Sequence, residues 1–501
     1  MARGDTLWVR KGSKLAFVEP LRTVYPNIYK QREDASVLLI CDSTAMAVSV
    51  GYNFTLAVTE HGDLYTFGKN DLGQLGLGHF DDTETPAFID KDVAFRGQQV
   101  VMVSAGRRHA ACVTSDGAMW AWGNAFTGCL GMDDAAVFSS VADEGDSDEM
   151  DSDIEDQCYA NPQRVPMHMC GQSPARMVAC GDAFTLLLTE NGRVYACGLA
   201  DSGQLGQSNT DNERKMTLID PLLFGGAAIG MVVAGDSHCM ALEKDGGRLW
   251  TWGSSICGQL GHGASIGSHQ PVAIPAAAFG GARVVFMDAG NGFSMAVTAD
   301  GMLWSFGENM IGELGLGFDN AGGLSDPQRV PLPDELKEHG VRMVACGLSH
   351  TVVVATNDTV WTFGVGRNLL GIHVWDWWIV QDKITSIRPG NVDNDPVIVV
   401  AANKHVSAAV TVQGRLYIWG RVNYHAPNLL ARVGRWHSIA PEQMLALAMG
   451  THPRLGALTP YGHGILSEMI FRDVFANLSI SPSPVGAAAA FLRLIGRIST
   501  R

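Results

Sequence analysis

The amino-acid sequence predicts an all-β protein with the architecture of a β-propeller. Three observations lead to this fold class. An aromatic strand pattern closed by glycine recurs along the chain, an apolar run precedes each copy, and a glycine-rich loop follows most copies. The closing glycines, spaced by 55, 75, 55, 54, 57 and 56 residues, are Gly68, Gly123, Gly198, Gly253, Gly307, Gly364 and Gly420. A fixed period this long indicates a solenoid, a propeller or an array.

Each repeat unit contains the sequence pattern of a β-hairpin. The run "VGYNFTLAVTEHG", which ends at Gly62, is followed directly by the aromatic run "LYTFG", and the other copies have the same order. A short apolar run, a polar-glycine turn and a second run are typical of two antiparallel strands. Further strands are expected after the glycine loops, entered through Pro86, Pro162, Pro271 and Pro327. Four short strands in about 55 residues fit one propeller blade.

The repeated G-x-x-H, aromatic-x-aromatic-Gly and GQLG patterns resemble the repeats of the regulator of chromosome condensation family. The resemblance covers about residues 45–462, most of the chain. It implies a seven-bladed propeller. Half-repeats at 4–12 and 448–462 could share a blade and close the ring, so eight blades remain an alternative.

The chain divides into a propeller at 1–462, with an acidic loop insertion at 133–157, and a tail at 463–501. The tail segments "ILSEMIFRDVFANL" and "VGAAAAFLRLIGRISTR" are predicted helices, which makes this a short helical C-terminal tail. Such helices could cap the propeller, dock a partner or contact a membrane surface.

Composition and charge exclude several classes of function. The net charge is −15, and the segment from Asp133 to Asp156 contains eleven acidic residues and no Lys or Arg, so −15 + 11 leaves −4 for the rest. Because phosphate backbones are bound mainly through Lys and Arg, direct nucleic-acid binding is not expected. The ten cysteines form no C-x-x-C pair, which favours reduced thiols. With no secretory signal or membrane-spanning run, we expect the cytoplasm or the nucleus and not secretion.

The acidic insertion is the one irregular interval in the repeat. Its carboxylates include Asp143, Glu144, Asp146, Asp148, Glu149, Asp151, Asp153, Glu155 and Asp156. A run of this kind cannot bury apolar area and should leave the propeller as a loop. It is either a solvated insertion without a role or an arm for a basic partner. Ser140 and Ser152 each have an acidic residue three positions later, so both are candidate phosphorylation sites.

The glycine loop "LYTFGKNDLGQLGLG" at 64–78 superficially resembles a phosphate-binding loop. Gly73 and Gly76 recur in the other repeats, but Lys69 does not. A phosphate cradle needs one such loop leading into a helix with a cation in place. We therefore predict that these glycines serve the backbone of a tight turn.

The sequence predicts neither a metal site, a cofactor nor a catalytic centre. His109, His238, His350 and His405 share one repeat position, where Phe54, Phe184 and Phe293 stand in other repeats. Phe at that position favours a packed, hydrogen-bonded core role over metal binding. No nucleophile motif of the G-x-S-x-G or H-E-x-x-H type is present, so the chain is not expected to be an enzyme.

Two groups of residues are candidates for binding a partner. Trp375, Asp376, Trp377 and Trp378 form the cluster "WDWW", which either packs between blades or offers exposed aromatic side chains for protein binding. Asp182 and Asp236 lie in Gly-Asp turns. The family resemblance implies that such turns can engage the GTPase Ran, whereas the simpler interpretation is that they cap local backbone amides.

These features favour a non-enzymatic scaffold for protein–protein interaction, as a subunit or adaptor of a larger complex. The alternative, which rests on family resemblance, is a guanine-nucleotide exchange factor for a small GTPase of the Ran type.

Overall fold

A computed structural model describes residues 7–11, 14–18, 45–132, 158–317, 323–365, 380–387, 396–403, 406–411 and 416–420. The "WDWW" cluster, the acidic insertion with Ser140 and Ser152, His405 and the tail at 463–501 lie outside these residues. Among the described residues no helix is both long and apolar enough to cross a membrane.

The described chain is almost entirely antiparallel β-sheet, in which strands follow one another in chain order. A two-stranded hairpin comes first: β1 (Leu7–Lys11) and β2 (Lys14–Val18). Blade 1 comprises β3 (Ala45–Val50), β4 (Phe54–Thr59), β5 (Leu64–Gly68) and β6 (Thr83–Ile89). Blade 2 comprises β7 (Val100–Ala105), β8 (His109–Thr114), β9 (Met119–Asn124) and β10 (Cys158–Arg164). Blade 3 comprises β11 (Ala175–Cys180), β12 (Phe184–Thr189), β13 (Val194–Gly198) and β14 (Glu213–Leu218).

The remaining blades have the same plan. Blade 4 comprises β15 (Ile229–Ala234), β16 (His238–Glu243), β17 (Leu249–Gly253) and β18 (Ser268–Ile274). Blade 5 comprises β19 (Val284–Ala289), β20 (Phe293–Thr298), β21 (Leu303–Glu308) and β22 (Gly323–Arg329). Blade 6 comprises β23 (Val341–Cys346), β24 (His350–Ala355), β25 (Val360–Val365) and β26 (Val380–Ile387). Blade 7 has three described strands: β27 (Val397–Asn403), β28 (Val406–Thr411) and β29 (Leu416–Gly420).

The seven sheets close into a ring, which confirms the predicted β-propeller. The first strand of each blade contacts the first strand of the next, and β27 contacts both β23 and β3. The side chain of Asn403 donates a hydrogen bond to the Val50 carbonyl oxygen across this last junction. Six complete sheets and one of three described strands agree with the seven blades that the family resemblance implies.

Short helices connect most blades. The α-helices are α1 (Lys91–Ala94) and α2 (Asp334–His339), and 3-10 helices span Met167–Cys170, Pro221–Phe224 and Ala276–Phe279. Asp90 and Asp220 cap two of them by accepting hydrogen bonds from the backbone nitrogens of Asp92 and Leu222. Each connection returns the chain from the outer strand to the inner strand of the next blade.

The four prolines do not begin the fourth strands, as the sequence pattern had suggested, but lie inside them. Pro86 is within β6 and Pro271 within β18, and the strand pairing shifts register beside each. The fourth strand is the outer edge of a blade, where a residue without a backbone N–H is tolerated and blocks pairing with another chain.

The glycine loops have the structural role that the sequence predicted. Gly73 and Gly76 have φ angles of 74° and 71°, a region that L-residues rarely adopt. A Cβ on Gly73 would lie 2.7 Å from the Cα of Ala160 in blade 2, so the loop also needs glycine to approach the next blade. Lys69 forms an ion pair with Asp82 at 3.0 Å, within its own loop.

Neighbouring blades are joined by hydrogen bonds to the carbonyl oxygens of these loops. The indole nitrogens of Trp122 and Trp252 donate to the Gln74 and Gln204 carbonyl oxygens, each at 2.9 Å. At the junctions of blades 2 and 3, 4 and 5, and 5 and 6 the donor is a hydroxyl. Thr185 Oγ1 donates to the Cys129 carbonyl oxygen at 2.7 Å, and equivalent bonds join Ser294 to Gln259 and Thr351 to Glu313.

A second set of bonds between blades involves the inner strands. Ser49 and Ser104 accept hydrogen bonds from the backbone nitrogens of Ala105 and Cys180 in the next blade, at 3.0 and 2.9 Å. Asp288 has the same position in blade 5, and its Oδ2 accepts from the Cys346 nitrogen at 2.7 Å. Asp288 is fully buried and its Oδ1 has no partner among the described residues. Burial raises the pKa of Asp288 well above its usual value.

Replacing Gly198 by Ala should destabilise the propeller by at least about 2 kcal/mol. Its φ is 111°, and an added Cβ would lie 2.5 Å from the Ala183 carbonyl oxygen. Gly226→Ala, in the connection between blades 3 and 4, is the control, because its φ is 75° but no atom lies within 4 Å of the added Cβ. We expect it to cost about 1 kcal/mol. Urea unfolding measures both, and equal losses would contradict the role of close packing.

Asp288→Ser should make the protein more stable than wild type at neutral pH. Because the pKa of Asp288 is raised, the folded state favours the protonated carboxyl. Its contribution to stability is complete below about pH 4, the range of the unfolded pKa, and is lost as pH rises towards the folded pKa. Serine occupies the same position in blades 1 and 2 and carries no charge. Unfolding free energies measured across this pH range should show the variant's advantage growing with pH. A constant difference between variant and wild type would refute this origin.

Candidate functional site

One end of the ring carries two kinds of loop from the described blades, and we call it the loop face. It consists of the turns between first and second strands and the loops between third and fourth strands. Both lie at one end because the strands are antiparallel: His238 pairs with Gly253, and the Ser254 nitrogen donates to the Ser237 carbonyl oxygen at 2.9 Å. The other end, with the hairpins between second and third strands and the short helices, is called the hairpin face.

Asp182 lies in a row of side chains around the centre of the loop face. Tyr52, Arg107, Asp182 and Asp236 occupy the same turn position in blades 1 to 4. Arg107 Nη1 donates to Asp182 Oδ2 at 3.0 Å, and the Arg107 guanidinium lies 5.3 Å from the centre of the Tyr52 ring. The Asp182 nitrogen donates to the Asp236 carbonyl oxygen at 3.1 Å. The structure therefore brings the two predicted aspartates together and adds a cation between them and Tyr52.

The electrostatics of this row depend mainly on the ion pair. The hydrogen bond and charge of Asp182 raise the pKa of Arg107, and Asp236 and Tyr52 contribute in the same direction. The pair is partly solvated, since the side chains of Arg107 and Asp182 are 44% and 26% exposed. Sequence analysis did not select Arg107. The signal was present in the run "AGRRH", which places a cation where the next two repeats have Asp.

Sequence analysis also missed a set of exposed apolar side chains on the loop face. Phe126, Ile256 and Met310 occupy one loop position, three residues after the closing glycine, and are 55%, 84% and 60% exposed. Blades 1 and 3 have Asp71 and Asp201 there, and each accepts a hydrogen bond from the Gln of its own loop. The difference is visible in the sequence at the third residue after each closing glycine, a position that belongs to none of the repeated motifs.

The acidic insertion begins and ends on the loop face. The described chain stops at Met132, which forms a β-bridge with Lys215 of blade 3, and resumes at Cys158, which pairs with Asn124 of blade 2. Met132 and Cys158, which flank the eleven carboxylates in the sequence, therefore lie on the same face as Phe126 and the Arg107–Asp182 pair.

Of the repeated histidines, His109, His238 and His350 are described and buried, which confirms for them the core role expected from the Phe replacements. His109 Nε2 lies 2.9 Å from Thr185 Oγ1 in blade 3, and His238 Nε2 lies 2.9 Å from Ser294 Oγ in blade 5. Because each hydroxyl donates to a loop carbonyl, the imidazole Nε2–H is the donor to the hydroxyl. Burial lowers the pKa of His109 to about 4 and that of His238 to about 3.

Reactive groups are scarce in the part of the chain that the structure describes. No cluster of His, Cys, Asp or Glu there could hold a metal ion. Burial raises the pKa of the thiols, to about 12 for Cys129 and Cys180, which disfavours the nucleophilic thiolate. Within these residues, the positions that the repeats share serve packing, and the side chains that differ in chemical type lie in the loops.

The closed ring of repeated antiparallel sheets defines the protein as a repeat β-propeller. A family model described as the RCC1-like domain matches residues 26–373, well over half of the chain. The chain belongs to the RCC1-like domain family, as the repeat patterns indicated.

Relatives with this domain differ widely in length. Human E3 ubiquitin-protein ligase HERC2 is 31% identical over 312 residues, which is 62% of this chain and 6% of that protein. The ultraviolet-B receptor UVR8 of Arabidopsis thaliana is 29% identical over 324 residues, 64% of this chain and 66% of the receptor. The RCC2 homolog of Danio rerio is 30% identical over 332 residues, 64% of this chain and 61% of the homolog. The matched part of this chain thus covers less than two thirds of each relative.

Solved structures support the fold. Human WBSCR16 aligns with a TM-score of 0.60 at 22% identity, covering 74% of this chain and 88% of that one. Prp20p of Saccharomyces cerevisiae aligns with a TM-score of 0.58 at 23% identity, covering 73% and 82%.

His109→Phe should reduce the loss of stability in acid. The imidazole protonates near its ordinary pKa in the unfolded chain but only near pH 4 in the folded one, so its contribution is present above about pH 6.5 and is lost as pH falls towards 4. Phe stands at this position in blades 1, 3 and 5. The wild type should lose up to about 3 kcal/mol more than the variant over this interval. Parallel curves of unfolding free energy against pH would contradict this assignment.

Proposed function

We propose that this chain is a non-enzymatic scaffold for protein–protein interaction, a subunit or adaptor of a larger complex, and that it binds its partner with the loop face. The observation that carries this proposal is the exposure of Phe126, Ile256 and Met310 at one loop position. Aspartate fills that position in blades 1 and 3, so the fold does not require an apolar residue there. Exposed apolar side chains gathered on one face are typical of protein-binding surfaces.

The charges on the loop face are consistent with a protein partner that is basic. Asp182 and Asp236 lie on this face, where Arg107 is paired with Asp182. The residues that flank the acidic insertion, Met132 and Cys158, lie there too. Phosphorylation of Ser140 or Ser152 would make this side of the molecule more negative. The structurally similar Prp20p binds Gsp1p and histones, and both of these partners are proteins. The "WDWW" residues Trp375, Asp376, Trp377 and Trp378 remain a predicted second contact for a partner.

We further propose an intracellular location, in the cytoplasm or the nucleus. The nine described cysteines are all free thiols and most are buried, which suits a reducing compartment.

Guanine-nucleotide exchange on a small GTPase is the alternative function. It rests on the family and on the position of Asp182 and Asp236, and a panel of GTPases loaded with fluorescent nucleotide tests it. Asp182→Asn should cost less than about 1 kcal/mol in stability, because the ion pair is partly solvated. We expect no accelerated nucleotide release. Release that is lost in Asp182→Asn would overturn the scaffold-only proposal.

Loop-face variants test the scaffold itself. Phe126→Asp should reduce recovery of the chain's protein partners by about tenfold, because charge would enter the buried centre of an interface. The control is Leu222→Asp on the hairpin face, where the leucine is 78% exposed. Quantitative mass spectrometry of complexes captured with wild type and both variants measures the effect. Equal recovery with all three would argue against the loop face as the binding surface.

A further inference from the structure

Blades 4 and 5 carry three of the exposed large apolar side chains on the loop face. Ile256, Ile266 and Met310 are 84%, 74% and 60% exposed. Ile256 and Ile266 belong to one loop, between β17 and β18, and Met310 belongs to the equivalent loop of blade 5. We call these three residues the aliphatic patch.

The loops under the aliphatic patch are firmly held. Gln259 Oε1 accepts a hydrogen bond from the Cys257 nitrogen at 3.0 Å, and Glu313 Oε2 accepts from the Ile311 nitrogen at 2.8 Å. The two blades meet where the Gly263 nitrogen donates to the Ser325 carbonyl oxygen at 2.8 Å. The apolar tips are therefore presented by ordered loops, which lowers the entropy cost of binding.

The surroundings of the aliphatic patch are acidic. The described turns and loops of these two blades, at 234–238, 253–268, 289–293, 307–317 and 323–326, contain no Lys or Arg. Their carboxylates that reach solvent are Asp236, Glu308 and Asp326, whereas Glu313 is buried. Glu308 ends the third strand of blade 5, two residues before Met310. The charges of Glu308 and Glu313 add to burial in raising the pKa of Cys257, the residue after Ile256.

We infer that the aliphatic patch binds a basic amphipathic segment of a protein partner, in which large apolar side chains are flanked by Lys or Arg. This inference rests on the proposed scaffold function and names the chemistry of the partner. Apolar contact supplies the affinity, while the carboxylates around it select positive charge and disfavour acidic competitors.

The same chemistry argues against two other classes of partner. Nucleic acids and anionic membrane surfaces both present phosphates, which require Lys or Arg on the protein. The described loops of blades 4 and 5 offer carboxylates instead.

Designed peptides test this inference on the full chain. The probes are a fluorescent amphipathic peptide of Leu and Lys, its Leu and Glu counterpart, and a Ser and Lys peptide with the same charge as the first. Fluorescence anisotropy should show that the Leu–Lys peptide binds at least about tenfold more tightly than either of the others. Equal binding of the Leu–Glu peptide would refute the charge selection, and equal binding of the Ser–Lys peptide would refute the apolar contact.

Variants locate the binding. The combined substitutions Ile256→Ser, Ile266→Ser and Met310→Ser should raise the Kd of the Leu–Lys peptide by at least about tenfold. The matched control, Val93→Ser with Leu222→Ser, removes exposed apolar residues from the hairpin face and should leave the Kd unchanged. All these side chains are solvent-exposed, so both variants should unfold at the same urea concentration as wild type. Unchanged affinity in the triple variant would overturn the assignment.

Failure of this inference is distinguishable from failure of the proposed function. If Phe126→Asp lowers recovery of partners while the triple variant does not, the loop face binds through blade 2, and only the aliphatic patch is wrongly assigned. If neither variant changes recovery, the proposed function itself fails.

Discussion

In blades 1 to 5, the ring depends on the carbonyl oxygen of the residue that follows the first glycine of each G-x-L-G turn. Gln74, Cys129, Gln204, Gln259 and Glu313 each present this oxygen to the next blade, and each accepts a side-chain hydrogen bond from it. The donor alternates between an indole and a hydroxyl in the first four junctions. A buried carbonyl without a partner would cost free energy comparable to a lost hydrogen bond. The loop geometry and the choice of donor are therefore linked at every junction.

These hydrogen bonds between blades explain why side chains that can vary in chemical type are confined to particular positions. The tight turn requires the glycines, and the carbonyl oxygen accepts a hydrogen bond from the next blade. The histidines complete the network by donating hydrogen bonds to the hydroxyls. Groups that titrate at ordinary pH are buried there, and their pKa values are shifted away from neutrality by desolvation. What remains free to vary is the tip of each loop, and the tips of blades 2, 4 and 5 are apolar.

The comparison between repeats is also the best guide to function in this molecule. Two blades have aspartate at the loop position where others have isoleucine or phenylalanine. Folding therefore does not require an apolar residue there. At the turn position where blades 3 and 4 have aspartate, blade 2 has Arg107, and the opposite charges meet because adjacent blades bring equal positions together. Arg107 and its partner Asp182 are 75 residues apart in the chain, and the ring geometry alone makes them neighbours.

The sequence by itself determined the all-β class, the propeller architecture, the hairpin in each repeat and the structural role of Gly73 and Gly76. These features follow from local periodicity and turn chemistry, which are written in consecutive residues. Only the tertiary structure decided that Asp182 pairs with Arg107, that the prolines lie inside the outer strands, and that Ile256, Ile266 and Met310 are exposed on the same face. These contacts join residues from different blades or strand registers, and local sequence carries no information about distances across a ring. The physical reason is that strand periodicity and turn type are backbone properties of a single repeat. A binding surface is instead formed by the loop tips of several blades.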